Sequence, residues 1–219
     1  MILAIDTATR WLGLALHDST TILAEYGWHC ANTHTIELAP AVSQMLQQTH
    51  VAIADLTGLA VAIGPGSYTG LRVGLAFAKG LAIAHQIALI GIPTLDIVAA
   101  AQPESEGGLA VVAEAGRSRI WLGRYKWQKG WQAFDDPAIN SWENLLAEQE
   151  GPLTFAGEIN QTAAKLIRAA GKGFRLSSAA NNARRAGYLA ELGWQRLRRG
   201  RVNESRSLAP TYLVDPAGK

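Results

Sequence analysis

An α/β fold with mixed sheets, built as two similarly opening halves, is predicted by three features of the chain. The first is an apolar run ending in an acid, Ile2-Leu3-Ala4-Ile5-Asp6, followed by the alternating run Trp11–His17. The second is a strand–turn–helix signature: Leu59-Ala60-Val61-Ala62-Ile63, then Gly64-Pro65-Gly66-Ser67-Tyr68-Thr69-Gly70-Leu71-Arg72, then a run rich in Ala and Gly. The third is a second hairpin-led block after residue 108, Leu109–Glu114 and Arg119–Trp127 around Gly116-Arg117-Ser118. Strands alternating with helical periods in this way argue for an α/β unit.

Ile2–Asp6 reads as a buried strand, Thr7-Ala8-Thr9-Arg10 as a turn, and Trp11–His17 and Thr21–Trp28 as two further strands of an antiparallel meander. Over Thr35–Thr49 the residues Leu38, Val42, Met45 and Leu46 recur at helical spacing. Thr57–Ile63 is a strand ending at the glycine turn, Ser67–Ala84 a helix that Ser67 or Thr69 caps, Ala88–Gly91 a strand, and Thr94–Ala101 a helix capped by Thr94. Gln102-Pro103-Glu104-Ser105-Glu106-Gly107-Gly108 combines Pro, Gly and charge, and marks a boundary between lobes at 1–103 and 104–219. Beyond the second hairpin come a helix near Ser141–Glu148, a strand Leu153–Ala156, a helix Asn160–Ala170, a short strand Phe174–Leu176, a helix Asn181–Arg199 and an irregular tail.

The chain has 219 residues, 48% hydrophobic and 17% charged, a globular composition with room for a substantial core. Cys30 is the single cysteine, which excludes an internal disulfide and a thiolate metal cluster and suits a reducing compartment. The opening residues carry no basic leader, and the apolar stretch Val73–Gly91 is interrupted by Lys79, His85 and Gln86. A cytoplasmic protein without a membrane span is therefore expected. The net charge of +2 is unevenly distributed. Residues 1–100 hold six acids and three Lys or Arg, whereas residues 165–206 hold eleven Lys or Arg against two acids. Such a run is either a solvated helix face or a nucleic-acid surface.

Asp6 at a strand end, followed by Thr7 and Thr9, either orients a metal-bound water or phosphate or accepts hydrogen bonds from its own turn. His34 and Glu37 stand three residues apart, but the next position on that face is Leu38, so the second ligand of a metal pair is missing. His34 reads as a helix cap or a surface residue. No nucleophile–base arrangement follows from the spacing. The run Gly64-Pro65-Gly66-Ser67 is neither a Gly-x-Ser-x-Gly elbow nor a P-loop, since no Gly-Lys-Ser/Thr follows. Gly64 and Gly66 free the backbone of the turn, and a helix start offers N–H groups to an anion. In the helix behind it, Gly70, Gly74, Ala78 and Ala82 recur every four residues and leave one ridge almost without side chains. Glycine inside a helix costs about 1 kcal/mol relative to alanine, so a close contact, internal or with a partner, must offset it.

The opening Ile2-Leu3-Ala4-Ile5-Asp6-Thr7-Ala8-Thr9, the pair His34 and Glu37 before a helix, and above all the nine residues Gly64–Arg72 together resemble the TsaB (YeaZ) family of tRNA threonylcarbamoyladenosine biosynthesis. Later echoes are Glu114-Ala115-Gly116-Arg117, where the family usually has Asp-Ala-Arg, and Pro210-Thr211-Tyr212-Leu213. The resemblance implies a two-lobed actin-like, Hsp70-like ATPase fold of the ribonuclease H-like class. It implies no catalytic residue and no metal site in this chain, and no tightly bound cofactor. ATP or ADP and the metal would belong to a complex with a TsaD-like catalytic paralogue and a TsaE-like ATPase, which modifies adenosine 37 of tRNAs reading ANN codons. The chain would meet tRNA only indirectly, and would pair with itself when the paralogue is absent. On this reading His34, Glu37, Leu38, Val42, Met45, Gly70, Leu71, Gly74 and Ala78 form the partner interface, and Asp6, Thr7, Thr9, Gly64, Gly66 and Ser67 are degenerate nucleotide-site positions. Two other readings compete: a free-standing actin-like ATPase or metallopeptidase-like enzyme built on Asp6, and a direct tRNA binder using residues 165–206.

Overall fold

A computed structural model describes residues 1–30 and 33–211. The chain runs β1 (Ile2–Asp6), β2 (Trp11–His17), β3 (Ile22–His29), α1 (His34–Gln48), a short 3-10 turn (Ile53–Asp55), β4 (Gly58–Ala62), α2 (Tyr68–His85), β5 (Ala88–Ile92) and α3 (Thr94–Ala100). It continues with β6 (Gly108–Gly116), β7 (Arg119–Trp127), β8 (Trp131–Ala133), β9 (Ala138–Ser141), α4 (Trp142–Glu148), β10 (Leu153–Gly157), α5 (Gln161–Ala170), β11 (Phe174–Leu176), α6 (Ala179–Asn182) and α7 (Ala186–Arg198). Two compact units result: Met1–Ile97 with Arg185–Thr211, and Val98–Arg184.

The first unit is a five-stranded sheet in the order β3-β2-β1-β4-β5, antiparallel across β3, β2 and β1 and parallel across β1, β4 and β5. Successive side chains of a strand point to opposite faces, and β1 uses both. Leu3 and Ile5 join Leu38, Val42 and Met45 of α1 and Leu75 and Ala78 of α2 on one face. Ile2 and Ala4 join Ala186, Leu189 and Ala190 of α7 on the other. Burying each such Leu or Ile contributes about 1.5–3 kcal/mol. Small residues let α7 lie close to the sheet: a Cβ on Gly193 would come within 2.5 Å of the Ala60 Cβ.

The second unit has a sheet in the order β11-β10-β6-β7-β8, with β9 also paired to β7. Here β6 and β7 are antiparallel, and β6, β10 and β11 are parallel. This repeats the pattern of the first unit, hairpin on one side and parallel strands on the other. Trp142 and Leu145 of α4 and Ala163 and Ile167 of α5 close its core over Val112, Leu122 and Phe155.

Two features of the sequence reading are corrected. The lobe predicted over 104–219 does not keep residues 185–211, which belong to the first unit because α7 covers the second face of its sheet. The single helix predicted over 181–199 is two, α6 and α7, separated by extended backbone at Ala183 and Arg185. Arg184 lies between them, buried, with its guanidinium 3.5 Å from Glu158. A buried charge needs such a partner, and the break supplies the geometry. The strands β8 and β9 had no sequence signal beyond three or four residues each. Tyr212 and Leu213 of the second family echo lie outside the described residues.

Candidate functional site

The turn between β4 and α2 is built from its glycines. Gly64 has φ +111°, open to glycine but costly for other residues. A Cβ there would come within 2.7 Å of the Thr211 carbonyl oxygen. The Gly64 N–H donates to Thr94 Oγ1 at 3.1 Å, and its carbonyl accepts from the Thr94 N–H at 2.8 Å. Thr94, at the start of α3, thus ties β5 and α3 to the turn. The peptide before Pro65 is cis. Ser67 is the N-cap of α2, its Oγ accepting from Gly70 N–H at 3.2 Å.

Facing this turn is the one between β1 and β2. Asp6, Thr7 and Thr9 are all buried. Asp6 Oδ1 accepts from the Ala8 N–H at 2.9 Å, the turn-closing use of an Asp at a strand end. The Ala8 carbonyl accepts from the Ser67 N–H at 2.6 Å, and Thr7 Oγ1 donates to the Gly70 carbonyl at 2.7 Å. A Cβ on Gly66 would overlap the Ala8 carbonyl oxygen, on Gly70 the Thr7 carbonyl oxygen, and on Gly74 the Thr7 hydroxyl. The glycine ridge of α2 therefore lies directly against the β1–β2 turn. Of the positions predicted as a degenerate nucleotide site, Thr7 bonds the Gly70 carbonyl and Ser67 the Ala8 carbonyl, while Asp6 serves its own turn, Thr9 accepts from the Trp11 N–H and Gly64 bonds Thr94. Among the described residues no group of three or more His, Cys, Asp or Glu side chains stands where it could hold a metal ion.

The residues predicted at a partner interface are placed differently. His34, Leu38, Val42, Met45, Gly70, Leu71, Gly74 and Ala78 are buried within the chain itself. The apolar periodicity that singled them out marks the faces of α1 and α2 that pack on the sheet. His34 is neither cap nor surface residue: it is buried, its Nε2 2.9 Å from the Thr9 carbonyl, joining α1 to the β1–β2 turn. Glu37 is half-buried; it accepts from the Trp28 indole N–H at 2.5 Å and from the Thr33 hydroxyl. The Thr33 bond, and after it the Trp28 bond, hold its carboxyl below the usual glutamate range.

The opposite sides of α1 and α2 carry what the periodicity did not reveal. Ile36, Tyr68 and Ile83 are 69%, 56% and 61% exposed. The Arg72 guanidinium stacks 3.6 Å above the Tyr68 ring. Between the two helices an apolar groove of about 320 Å³ is lined by Val42 and Leu46 of the core-facing period together with Ala39, Ser43, Phe77 and Leu81 among others. Gly80 of α2 points into open space. Among the described residues no helix is long and apolar enough to cross a membrane.

Comparison with known proteins agrees with this architecture. A family model described as TsaD, tRNA N6-adenosine threonylcarbamoyltransferase, matches residues 21–217. The tRNA threonylcarbamoyladenosine biosynthesis protein TsaB of Bacillus subtilis is 32% identical over 97% of this chain and 93% of its own length. The crystal structure of YeaZ from Pseudomonas aeruginosa superposes with a TM-score of 0.79 at 22% identity, covering 97% of this chain and 99% of that one. The ROK hexokinase of Thermus thermophilus shares the fold alone, with a TM-score of 0.53 at 9% identity, covering 90% of this chain and 99% of that one. With its Gly64–Arg72 turn, its repeated hairpin-led sheets and near full-length similarity to a curated TsaB, the chain belongs to the TsaB (YeaZ) family of tRNA threonylcarbamoyladenosine biosynthesis proteins, on an actin-like fold.

Proposed function

We propose that the chain is a non-catalytic subunit that binds and activates a TsaD-like catalytic paralogue in the complex adding a threonylcarbamoyl group to adenosine 37 of tRNAs reading ANN codons. A TsaE-like ATPase joins that complex in the cytoplasm, and ATP and metal are handled by the other subunits. The observation that carries this reading is the closure of the β1–β2 turn by the glycine ridge of α2. A turn whose Thr7 hydroxyl and Ala8 carbonyl are already bonded to the Ser67–Gly70 segment is held by the chain itself, which supports a subunit role over free-standing nucleotide chemistry. The docking face is the exposed side of α1 and α2 with its apolar groove, which also serves self-pairing when the paralogue is absent.

Light scattering of the full chain mixed with TsaD tests the pairing. Ala39→Glu with Ser43→Glu places two carboxylates at the exposed rim of the groove without touching the core. Burying unpaired charge costs several kcal/mol, so the heterodimer should weaken at least tenfold. Unchanged affinity would remove this face from the interface. Calorimetry of the isolated chain with ATP and Mg²⁺ should give no binding heat, and the isolated chain should show no threonylcarbamoyl transfer. Either activity in the chain alone would overturn the subunit reading.

A further inference from the structure

The basic run of residues 165–206 is divided by the fold, and five of its eleven cations are already engaged. Lys172 Nζ donates to the carbonyls of Leu146, Ala147 and Gln149 at the end of α4, at 3.2, 3.4 and 3.2 Å. Arg175 lies 3.6 Å from Glu106, Arg184 3.5 Å from Glu158 and Arg185 2.5 Å from Glu25. Arg196 donates to the Gly91 carbonyl at 2.6 Å and stands 4.0 Å from Asp96. The exposed side chains of Arg198 and Arg199 have no such partner among the described residues. Their neighbours Arg201 and Arg206 extend the charge, with Glu204 the one acid between residues 195 and 206.

Arg198 and Arg199 are also not on a plain helix surface. Positions three, four, seven and eight apart share a helix face, which groups them with Glu191, Trp194 and Gln195. Together with Ser19 in the β2–β3 turn these residues line a concave pocket of about 480 Å³. Glu191 forms no ion pair with either arginine: its Oε1 accepts from Gln195 at 2.9 Å and its Oε2 lies 3.3 Å from His17 Nε2. Asp18 beside the pocket turns its Oδ1 to the N–H groups of Thr20 and Thr21 and to the Thr20 hydroxyl. The Trp194 indole is steadied edge-on against the His17 ring, centroids 6.2 Å apart. Complementing the helix dipole would explain cations here. Unlike Lys172 at the end of α4, however, these two guanidiniums donate to no carbonyl of the helix end, which leaves their N–H groups available to a ligand.

We propose that Trp194, Arg198 and Arg199 form a direct RNA contact, the guanidiniums each holding a backbone phosphate and the indole stacking an unpaired base. An aromatic platform flanked by unspent arginines in a concave polar site is the chemistry of single-stranded RNA recognition. The proposal rests on the family's role in tRNA modification and makes tRNA a direct partner of this chain.

The test is binding of a fluorescent tRNA transcript to the full chain, alone and with TsaD, across a salt series. The double variant Arg198→Gln, Arg199→Gln should flatten the slope of log affinity against log salt by about 1.4–1.8, two phosphates' worth. Arg198→Lys with Arg199→Lys should keep the slope. Trp194→Ala should weaken binding roughly 5- to 100-fold at fixed salt with the slope unchanged, and Trp194→Phe should retain most of the affinity. Lys165→Gln with Arg168→Gln, exposed on α5, is the charge-matched control and should leave the slope alone. Unchanged binding in the arginine variant overturns the proposal, as does an equal loss in the α5 control, which would mean diffuse attraction. Loss of the TsaD complex by light scattering with tRNA binding intact would make the surface a protein interface and also overturn it. If no TsaD complex forms at all, the isolated chain's salt slopes still decide the RNA contact, so the two readings fail separately.

Discussion

One substitution, made twice on the same helix, should have opposite signs. Gly70 and Gly80 both lie in α2, ten residues apart. Replacing an exposed helical glycine by alanine gains about 0.5–1 kcal/mol, because alanine loses less backbone freedom on folding. At Gly80 nothing lies within 4 Å of the new Cβ, so the gain is kept whole. At Gly70 the Cβ overlaps the Thr7 carbonyl oxygen, a backbone atom that cannot swing away. Relief needs a shift of the β1–β2 turn, which also strains the Thr7 Oγ1 bond to the Gly70 carbonyl, 2.7 Å long. Overpacking of this kind costs about 1–3 kcal/mol, more than the helix preference returns. For a chain of this size 1 kcal/mol moves Tm by about 2–4 °C. Circular-dichroism melts should therefore place Gly80→Ala about 1–4 °C above the wild type and Gly70→Ala several degrees below it. A stabilised Gly70→Ala would mean that the ridge is not closed on the turn. The contact on which the subunit reading rests would then fail with it.

Two further predictions concern single carboxylates. Glu25 reaches from β3 to the start of α7, accepting from the Gly187 N–H at 2.8 Å and from Arg185 at 2.5 and 3.1 Å. Arg185 itself provides no side-chain cap for α7, so Glu25 does that work from a distance, and Glu25→Ala should lower stability by about 1–2 kcal/mol in urea unfolding. A value within error of zero would show that water caps α7 equally well. Glu37 has a depressed carboxyl pKa, caused first by the Thr33 hydroxyl and then by Trp28. Its contribution is thus present above the unfolded value, about pH 4.3, and is lost as pH falls through the lower folded value. Glu37→Gln should be less stable than the wild type at pH 7, with the difference shrinking below about pH 4; a pH-independent difference would refute the assignment.

Much of the architecture was legible because it is written in local patterns. The alternation of Leu3 and Ile5 with Ile2 and Ala4, the helical spacing of Leu38, Val42 and Met45, and the glycine turn before α2 each require only near neighbours. What was not legible depends on residues far apart in sequence. Thr211 approaches Gly64, and Thr94 bonds it, across gaps that no periodicity spans. The return of residues 185–211 to the first unit rests on Ala4, Ala15 and Ala60 being small enough to admit α7. Read in sequence, those alanines are simply more of an apolar run.

The glycine ridge shows what a bare helix side establishes. Spacing of four identifies which side of a helix is bare, but a bare side only says that something comes close. In α2 that something is the chain's own β1–β2 turn, met through the carbonyl and hydroxyl oxygens of Thr7. The same conclusion applies to α1, where the most regular apolar positions are the most deeply buried. A surface meant for a partner must remain uncovered in the free chain, so it is marked by apolar residues that break the core period. Ile36, Ala39 and Ile83 are apolar and exposed, out of phase with the buried Leu38, Val42 and Ala82. Interface residues in such a helix are thus to be sought among the exceptions to its amphipathic pattern. The two faces follow from one physical requirement: α2 must press its glycines onto the β1–β2 turn, and doing so turns Tyr68, Arg72, Gly80 and Ile83 outward. Burying the glycines against the β1–β2 turn and leaving Tyr68, Arg72 and Ile83 exposed are then consequences of a single helix orientation.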